Sequence, residues 1–411
     1  MNRDIDELKT EVFDILVIGG GFHGLTMALE ASKKGYKVGI IDKDDFGKRA
    51  SANSLKIVHG GLRYLQQLDI KRIRESIKSR KYFQQNFPDL IKIIPFIIPT
   101  KWNFTNNKIA LFFATVLYEF LSMDKNFGII SEKYLPKGRV ISKNRFRKIL
   151  SENSNSNAGG GMLWYEAVAD TDSIIKNMVN SIKNNNSAMG ANIEAKKLII
   201  EDKKVAGVEV FDVKTNSYFR INAKSIVNTC GIWEKDILSS INESQNGKSS
   251  LTKAINLIIN KNYFNDYAIG FDSVIKIYEK ENLIKNKNRM FFVVPWKGNS
   301  MLGTFYFHYD GDRDNINVTD AEIDLILNEI NSSNQIFKIQ KKDIVSHHCD
   351  LLFEDISIYQ NSGQSYPRKK TKIINHSKTD KIEGLYSVNS VKFTNAPEVT
   401  KKILTEIRDN L

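Results

Sequence analysis

The stretch VFDILVIGGGFHGLTMALEASKKGYKVGIID, residues 12–42, decides the fold. It opens with an apolar, β-branched run that is typical of a strand buried on both faces. Gly19, Gly21 and Gly24 then stand in G-x-G-x-x-G spacing where the strand must turn into a helix. The first glycine permits the tight turn, the second lets a pyrophosphate approach the backbone, and the third lets helix and strand pack closely. A second strand ends in Asp42, whose carboxylate can accept from ribose hydroxyls, so the stretch predicts a dinucleotide-binding unit.

The composition is that of a globular protein with an excess of positive charge. The 411 residues can bury a large core, and two domains are expected. The formal net charge of +13 favours an acidic partner, such as an anionic lipid surface or a phosphorylated or carboxylated substrate. The lysines are scattered and no basic helix stands out, which argues against nucleic acid. The two cysteines, Cys230 and Cys349, and the polar residues 1–11 favour a reducing, cytoplasmic location without a secretory signal.

A second unusual stretch, SANSLKIVHGGLRYL, occupies residues 51–65, just after the second predicted strand. It combines two serines, a histidine and two adjacent glycines. This combination predicts a loop that presents hydroxyl and backbone N–H donors to a polar ligand. Such a loop can reach the far end of a cofactor whose pyrophosphate lies on residues 19–24.

On these motifs the chain resembles the flavin-dependent glycerol-3-phosphate dehydrogenases, within the broader D-amino-acid-oxidase-like superfamily. The matching segments span nearly the whole chain in the family's order, and the HGGLRYL part is the most specific. They are GGGFHG at 19–24, KIVHGGLRYL at 56–65, VNTCGIW at 227–233, VPW at 294–296, LGT at 302–304 and KFT at 392–394. The resemblance implies FAD, with its AMP part at the first unit and its isoalloxazine near residues 59–61 and 392–394.

The motifs and the resemblance together predict the residues of a flavin site. The cofactor-binding set is Gly19, Gly21, Phe22, His23, Gly24, Asp42, Lys43, Ser51, Ser54, Lys56, His59, Gly60, Gly61, Leu198, Thr229, Gly231, Lys392 and Thr394. The predicted catalytic residues are His59 for proton handling, Arg368 for holding an acidic group and Lys392 beside the flavin ring. Plainer readings stay open for all three, namely a hydrogen-bonded structural histidine, a surface arginine and a surface lysine.

The predicted substrate residues, Asn256, Leu352 and Arg368, include two departures from the resembled family. Asn256 stands where the family's Lys-Gly-x-His run has its histidine, and Leu352 stands where its Gly-x-Arg-Pro strand has a phosphate-binding arginine. Residues 390–391 are Ser-Val in place of Gly-Gly, whereas Arg368 matches a family arginine. The family's additional C-terminal helical domain is expected to be absent. Because leucine cannot make bidentate contacts with phosphate, glycerol 3-phosphate is predicted to be a poor substrate or none.

The order of elements predicts an α/β fold, with a discontinuous Rossmann-like FAD-binding domain and an inserted, mostly antiparallel α+β substrate domain. The predicted division is 1–100 FAD-binding domain, first part; 101–150 helical insertion; 151–240 FAD-binding domain, second part; 241–365 substrate domain; and 366–411 FAD-binding domain, C-terminal part. The apolar window Lys108–Met123 is too short to span a bilayer and predicts a buried or interface-lying helix.

Local patterns give sharper expectations in the middle of the chain. A three-stranded meander and a further buried strand are predicted at 191–200, 204–212, 218–223 and 225–231. Residues 184–190 are predicted to form a polar loop. Thr319–Glu322 has the pattern of a capping box that opens a helix. The run His347–Asp350 does not predict a metal site, because adjacent side chains on a strand point to opposite faces.

The sequence therefore predicts an FAD-dependent oxidoreductase, a dehydrogenase or oxidase, acting on a small polar, anionic substrate. It would remove a hydride from a CH–OH or CH–NH group, with CH–OH favoured. The electron acceptor is left open between a quinone, O2 and a protein. A D-amino-acid or amine oxidase activity and a catalytically lapsed flavin-binding partner protein are the alternatives. No nucleic acid or metal is expected, and peripheral contact with the inner face of the membrane is left open.

Overall fold

The computed structural model describes residues 3–100, 108–150, 158–185, 187–241, 249–278 and 286–409. The strands in this part of the chain are β1 Val12–Ile18, β2 Val38–Asp42, β3 Ile57–Val58, β4 Ile91–Pro99, β5 Arg139–Ser142, β6 Gly160–Ala169, β7 Ser187–Ala191, β8 Ile193–Glu201, β9 Lys204–Asp212, β10 Ser217–Asn228, β11 Leu251–Ile259, β12 Ala268–Tyr278, β13 Asn286–Trp296, β14 Asn299–Tyr309, β15 Ile344–Phe353, β16 Lys372–Asn375 and β17 Leu385–Asn389. The helices are α1 Ile5–Thr10, α2 Phe22–Lys33, α3 Ile70–Asn86, α4 Lys108–Leu121, α5 Lys143–Leu150, α6 Thr171–Lys183, α7 Glu234–Leu238, α8 Asp320–Ser333, α9 Ile356–Ser362, α10 His376–Thr379 and α11 Ala396–Arg408.

The first sheet has the βαβ unit of residues 12–42 at its centre. Its strands lie in the order β16-β17-β10-β1-β2-β7, and β9 and β8 extend it from β10. The strands β17, β10, β1, β2 and β7 are parallel to one another, as crossover connections such as α2 require. Helix α2 packs against α6 and α11 in a core that includes Val17, Leu25 and Ile403. The predicted α/β class with a Rossmann-like domain is confirmed.

The second sheet is mostly antiparallel. Its strands lie in the order β15-β11-β14-β13-β12-β4-β6-β3, with β5 paired to β6. Only the short β4–β12 contact among these described pairs is parallel. The predicted division assigned β4 and β6 to the FAD-binding parts of the chain, whereas both pair within this second sheet. The division into domains stays a prediction.

Strand β10 joins two strands that were predicted separately. Its first half pairs antiparallel with β9, which in turn pairs with β8, so the predicted meander is confirmed. Its second half, from Asn222 to Asn228, pairs parallel with β1. The prediction of a break near residue 224 was wrong, because no glycine, proline or turn interrupts the chain there and the strand passes from one partner to the other.

Two local expectations had opposite outcomes. The capping box is confirmed, since the Thr319 side chain accepts from the N–H of Glu322 and the Glu322 side chain accepts from the N–H of Thr319. The polar loop at 184–190 was wrong from Ser187 onward, because Ser187–Ala191 forms the fully buried strand β7 beside β2. Small residues fit this position, where a Cβ on Gly190 would come within 2.8 Å of the Leu8 side chain.

Helix α4 covers the described part of the predicted helical window and is amphipathic. Tyr118 faces inward and is buried, whereas Phe113 and Phe120 are 66% and 65% exposed. The turn that follows exposes Met123 and Phe127 by 74% and 80%. None of the helices in the described ranges is long and apolar enough to cross a membrane.

Candidate active site

The carboxyl ends of four parallel strands meet at one edge of the first sheet. Gly19 follows β1, and its N–H donates to the carbonyl of Ile41 at the end of β2, at 2.8 Å. Thr229 follows β10, and its N–H donates to the carbonyl of Ile18 at the end of β1, also at 2.8 Å. The flavin segment at 390–394 follows β17, which is parallel to β10. Ligands of open α/β sheets bind outside this edge.

The three glycines of the first turn differ in the space around them. Gly19 has a φ of +98°, a backbone conformation that would be strained for a residue with a side chain. A Cβ on Gly24 would lie 1.9 Å from the Gly19 carbonyl oxygen, so this glycine is needed for close packing. A Cβ on Gly21 would meet only the Ser51 Oγ, at 3.0 Å. The backbone at Gly21 is therefore the part of the turn that a pyrophosphate could approach.

Asp42 lies beside this turn, at the end of β2. Its carboxylate accepts from the N–H groups of Gly20 at 2.6 Å and Asp44 at 2.8 Å. Burial raises the pKa of Asp42 to about 6, although both N–H groups favour the ionised form. The carboxylate holds the glycine turn and also stands at the position predicted for a ribose contact.

The start of α2 offers its backbone rather than its side chains. Phe22 is buried against Phe83 and Phe393, and its N–H donates to Ser51 Oγ at 2.9 Å. His23 is also buried, and its Nε2 lies 3.2 Å from the Asn395 Oδ1. Burial lowers the pKa of His23 to about 4, so this imidazole is neutral. The predicted cofactor role of His23 can therefore be served by its N–H, which has no acceptor within the helix, whereas the Phe22 N–H is already bonded to Ser51.

The loop from Ser51 to Lys56 is held from within. The Lys56 ammonium donates to the Ala52 carbonyl at 2.6 Å, to the Thr171 hydroxyl, and to the Asp172 carboxylate at 3.2 Å. Ser54 Oγ accepts from the N–H of Lys56 at 3.3 Å. Since the three ammonium protons of Lys56 have protein acceptors, this residue fixes the loop to α6 and does not point a free charge at a ligand.

The HGG segment at 59–61 lies on a buried ion pair. The Gly60 N–H donates to Glu166 Oε2 at 2.7 Å, and Arg80 Nη1 donates to the same oxygen at 2.7 Å. The Tyr118 hydroxyl donates to the Gly60 carbonyl at 3.1 Å. The His59 side chain is 47% exposed, and its Nδ1 lies 3.8 Å from Glu166 Oε1. The Glu166–Arg80 pair therefore lies beside His59, which is the only histidine among the three predicted catalytic residues.

Cations and phenols converge between the HGG segment and the C-terminal segment. Arg63 Nη1 donates to the Tyr366 hydroxyl at 3.0 Å, and the Lys392 ammonium donates to the Tyr64 hydroxyl at 3.1 Å. We refer to Arg63, Tyr64, Tyr366 and Lys392 as the cation–phenol cluster. It joins residues from three distant segments of the chain. Cations held in this way can bind an anionic ligand while the phenols orient them.

Arg368 lies next to this cluster in sequence and beside the end of β15. Its N–H donates to the Phe353 carbonyl at 2.9 Å, and its Nε donates to the Glu354 carbonyl at 3.3 Å. Burial raises the pKa of Glu234 to about 7, and the charge of Arg368 opposes this rise. Arg368 is therefore a half-buried arginine that packs over the Phe353 ring, and not a freely exposed one.

The two substrate positions that depart from the resembled family do not contact each other. Asn256 on β11 accepts from the Thr304 hydroxyl at 2.8 Å, and its Nδ2 donates to the Asn53 carbonyl at 3.4 Å. Leu352 lies opposite Thr252, four residues along the same strand, which corresponds to roughly 13 Å. Asn256 touches the 51–56 loop, whereas Leu352 directly precedes Phe353, whose ring packs under Arg368.

The remaining predicted cofactor residues are placed as follows. Leu198 is buried on β8, and its N–H donates to Ser240 Oγ at 3.2 Å. The Lys43 ammonium pairs with Asp314 at 2.5 Å. Gly231 has a φ of +57° in the turn after β10, and Thr394 is buried in the turn after β17. No group of three or more His, Cys, Asp or Glu side chains that could hold a metal occurs among the described residues.

A family model described as FAD dependent oxidoreductase matches residues 14–345 of this chain. The chain belongs to this family. The match covers the glycine turn, the HGG segment and most of the second sheet, and it makes FAD the cofactor of this protein. The recognition of a flavoprotein of this superfamily from sequence is confirmed.

Relatives of this FAD-dependent oxidoreductase include an aerobic glycerol-3-phosphate dehydrogenase from Staphylococcus haemolyticus, which is 28% identical over 84% of this chain and 59% of its own length. The chain thus spans less than two thirds of that relative. A glycerol-3-phosphate dehydrogenase from Bacillus halodurans, solved with FAD, is 20% identical with a TM-score of 0.69 over 99% of this chain and 66% of its own. An L-α-glycerophosphate oxidase from Mycoplasma pneumoniae with bound FAD is 15% identical, with a TM-score of 0.66 over 97% and 95%. These two solved structures show the same fold.

The residues present fit FAD in this flavoprotein. The open backbone at Gly21 and the N–H groups at the start of α2 could hold the pyrophosphate, and Asp42 could accept from the ribose. Residues 392–394 join the start of α2, through the Phe22–Phe393 contact, to the turn after the HGG segment, through the Lys392–Tyr64 bond, and could flank the flavin ring with that segment. Sequence reasoning missed Glu166, Arg80 and Arg63. The signal for Glu166 was present, since it is the one charged residue in the apolar run 160–169.

Proposed function

We propose that this flavoprotein oxidises a small anionic alcohol at a CH–OH carbon. The cation–phenol cluster is the observation that carries the proposal, because Lys392 is bonded to Tyr64, the chain neighbour of Arg63, next to the segments predicted to flank the flavin. The activities for which the relatives are named, glycerol-3-phosphate dehydrogenase and alpha-glycerophosphate oxidase, support an anionic polyol substrate. Because the chain spans only part of the length of those relatives, both the reaction and its substrate belong to the proposal.

The residues would divide the work as follows. FAD, when bound, accepts the two electrons of the oxidation. His59 takes the hydroxyl proton, since its ring is half exposed and the side bearing Nδ1 faces Glu166, which leaves Nε2 on the side away from that carboxylate. Arg63 and Lys392 bind the anionic group, and Arg368 is the third cation available to it. The cofactor contacts are those predicted at Gly21, the start of α2 and Asp42.

Glycerol 3-phosphate is proposed to be a weak substrate. Asn256 has its amide oxygen committed to Thr304, so it does not replace a histidine that exchanges protons. The Leu352 side chain offers no donor. Arg368, whose backbone N–H donates to the carbonyl of the next residue, Phe353, is the arginine that could compensate. The test is anaerobic flavin reduction by phosphorylated polyols, hydroxy acids, sugars and amino acids. Reduction by a carboxylated or phosphorylated alcohol supports the proposal, and reduction by amino acids alone contradicts it.

The exposed face of α4 and the turn after it is proposed to contact an anionic membrane surface. Large apolar side chains are exposed on this face, and no element in the described part of the chain covers them. They are Phe112, Phe113, Val116, Leu117, Phe120, Met123 and Phe127. Contiguous apolar patches of this kind mark interaction sites. The net charge of +13 favours an anionic surface as the partner.

Vesicle co-sedimentation tests this contact. We expect binding to phosphatidylcholine vesicles that contain phosphatidylglycerol, and at least about tenfold weaker binding after Phe120→Ser with Phe127→Ser. Tyr218→Ser is the matched control, because Tyr218 is 62% exposed on β10 of the first sheet. Equal binding by the double variant and the control would exclude α4 as the membrane contact. Concentration-dependent self-association lost in the double variant would assign the face to a second copy instead.

A further inference from the structure

Glu166 is a fully buried carboxylate with hydrogen-bond donors on every side. Its Oε2 accepts from the Gly60 N–H and from Arg80 Nη1, both at 2.7 Å. Its Oε1 accepts from Trp164 Nε1 at 3.1 Å and faces the His59 Nδ1 at 3.8 Å. A glutamine cannot satisfy this arrangement, because its NH2 group would oppose a donor in either orientation. The site therefore requires an ionised carboxylate.

The surroundings supply the charge that keeps Glu166 ionised. Burial is the largest single influence and raises the pKa of Glu166, but the charge of Arg80, His59 and the Gly60 N–H together outweigh it, and the pKa is lowered. The Arg80 Nε and Nη2 have no hydrogen-bond partner among the described residues. A buried ion pair with unsatisfied donors contributes little to stability compared with apolar packing, so stability is a poor reason for its presence.

The pair acts directly on the HGG segment. Gly60 is held from two sides, since Glu166 accepts from its N–H and Tyr118 donates to its carbonyl. A Cβ on Gly60 would lie 2.1 Å from Arg80 Nη1 and 2.2 Å from the Tyr118 hydroxyl, so the peptide rests against both groups. His59, the neighbour of Gly60, is thereby presented with its ring half exposed.

We propose that Glu166 is a positioning residue, which fixes the His59–Gly60 peptide and the His59 ring at the flavin end of the site. Arg80 balances its charge, and Tyr118 fixes the following Gly60–Gly61 peptide through the Gly60 carbonyl. This inference rests on the proposed function for the role of His59 in catalysis. The effect on the conformation of residues 57–62 is independent of that role.

Three variants separate positioning from stability. Glu166→Gln removes the carboxylate and leaves the Arg80 charge. Glu166→Gln with Arg80→Met removes both charges, so that no buried cation is left unpaired. Glu329→Gln is the matched control, because Glu329 also forms a buried pair with an arginine, Arg289, between α8 and β13.

The first measurement is amide hydrogen exchange of residues 57–62 in the cofactor-free protein. We expect exchange about tenfold faster or more in both Glu166 variants, and unchanged exchange in Glu329→Gln. The second is the reduction potential and visible spectrum of bound FAD. Glu166→Gln should make the flavin easier to reduce, because the positive charge of Arg80 is left uncompensated. Adding Arg80→Met should restore the reduction potential of the flavin, but the amides of residues 57–62 should still exchange fast.

The outcomes are distinct. If both Glu166 variants lower the melting temperature as Glu329→Gln does, while loop exchange and flavin spectrum stay unchanged, Glu166 is structural and the proposal is overturned. If Glu166→Gln alone fails to fold, the charge-neutral double variant decides the question by the same measurements. A protein that reduces no anionic alcohol but shows the loop effect would overturn the proposed function and leave the positioning role supported.

Discussion

The Asp42 carboxylate accepts a hydrogen bond from the N–H of Gly20 at 2.6 Å, across 22 residues of sequence. This bond connects the end of β2 to the middle of the glycine turn after β1. The same carboxylate is the one predicted to accept from the ribose, so we expect cofactor binding and the shape of the turn to depend on one side chain. Its pKa, raised to about 6 by burial, makes that dependence measurable.

FAD binding should strengthen as the pH rises through about 6 in the wild type. Ribose hydroxyls donate to a carboxylate and favour its ionised form, so the cofactor lowers the pKa of Asp42 from about 6 and releases a proton on binding. Asp42→Asn should lose this pH dependence and weaken FAD by about 1–3 kcal/mol at pH 7.5. Calorimetric titrations in two buffers of different ionisation enthalpy check both effects. An unchanged dissociation constant would remove Asp42 from the cofactor site.

The cofactor-free protein should lose stability over the same range. The folded pKa of Asp42, about 6, lies above the ordinary value of 3.8, so the contribution of this group is fully present below pH 3.8 and is lost as the pH rises through 6. The loss approaches about 3 kcal/mol, and Asp42→Asn should not show it. Urea unfolding of wild type and variant at several pH values measures the difference. Parallel pH profiles for the two proteins would contradict the buried, protonatable carboxylate.

Gly21→Ala and Gly24→Ala should fail in different ways. A Cβ on Gly21 meets only the Ser51 Oγ, so the variant should fold normally but bind FAD about 100-fold more weakly, because the methyl group occupies the pyrophosphate approach. A Cβ on Gly24 would lie 1.9 Å from the Gly19 carbonyl oxygen and should cost about 1–3 kcal/mol or more of stability. Melting temperatures without cofactor, together with FAD titrations, distinguish the two. Normal FAD affinity in Gly21→Ala would move the pyrophosphate away from this turn.

Arg63→Met should impair substrate use while leaving FAD affinity unchanged. Losing one charged contact to an anionic substrate corresponds to about 1.5–3 kcal/mol, or about 10- to 100-fold in kcat/KM. Arg220→Met is a control, since Arg220 lies on β10 and pairs with Glu201 at the surface. Steady-state kinetics with the best substrate of the panel gives the answer. Equal kinetics for the two variants would exclude the cation–phenol cluster as the anion site.

Millimolar glycerol 3-phosphate should reduce the flavin slowly or not at all. Both family positions for this substrate are altered here, and unpaired phosphate oxygens in a buried site cost about 1–3 kcal/mol or more. Stopped-flow absorbance of the oxidised protein after mixing measures the rate. Rapid and complete bleaching would show that Asn256 and Leu352 do not mark the phosphate site. Loss of that bleaching in Arg368→Met would then identify Arg368 as the phosphate-binding arginine.

Local chemistry let the sequence determine the first βαβ unit and its neighbours. The glycine spacing, the apolar run of β1 and the terminal Asp42 lie within one short segment, where backbone geometry and side-chain periodicity act over a few residues. The capping box at Thr319 was predictable for the same reason. The FAD-binding character of the chain follows from these local features together with the HGG segment.

The tertiary structure alone decided which distant residues meet. Arg80 and Glu166 are 86 residues apart, and Arg63 and Tyr366 are 303 residues apart, so no local pattern pairs them. Strand β7 is made mostly of small residues with weak strand propensity and exists because β2 offers it an open edge. In each of these cases the free energy comes from burial and pairing between segments, and only the packed chain brings those segments together.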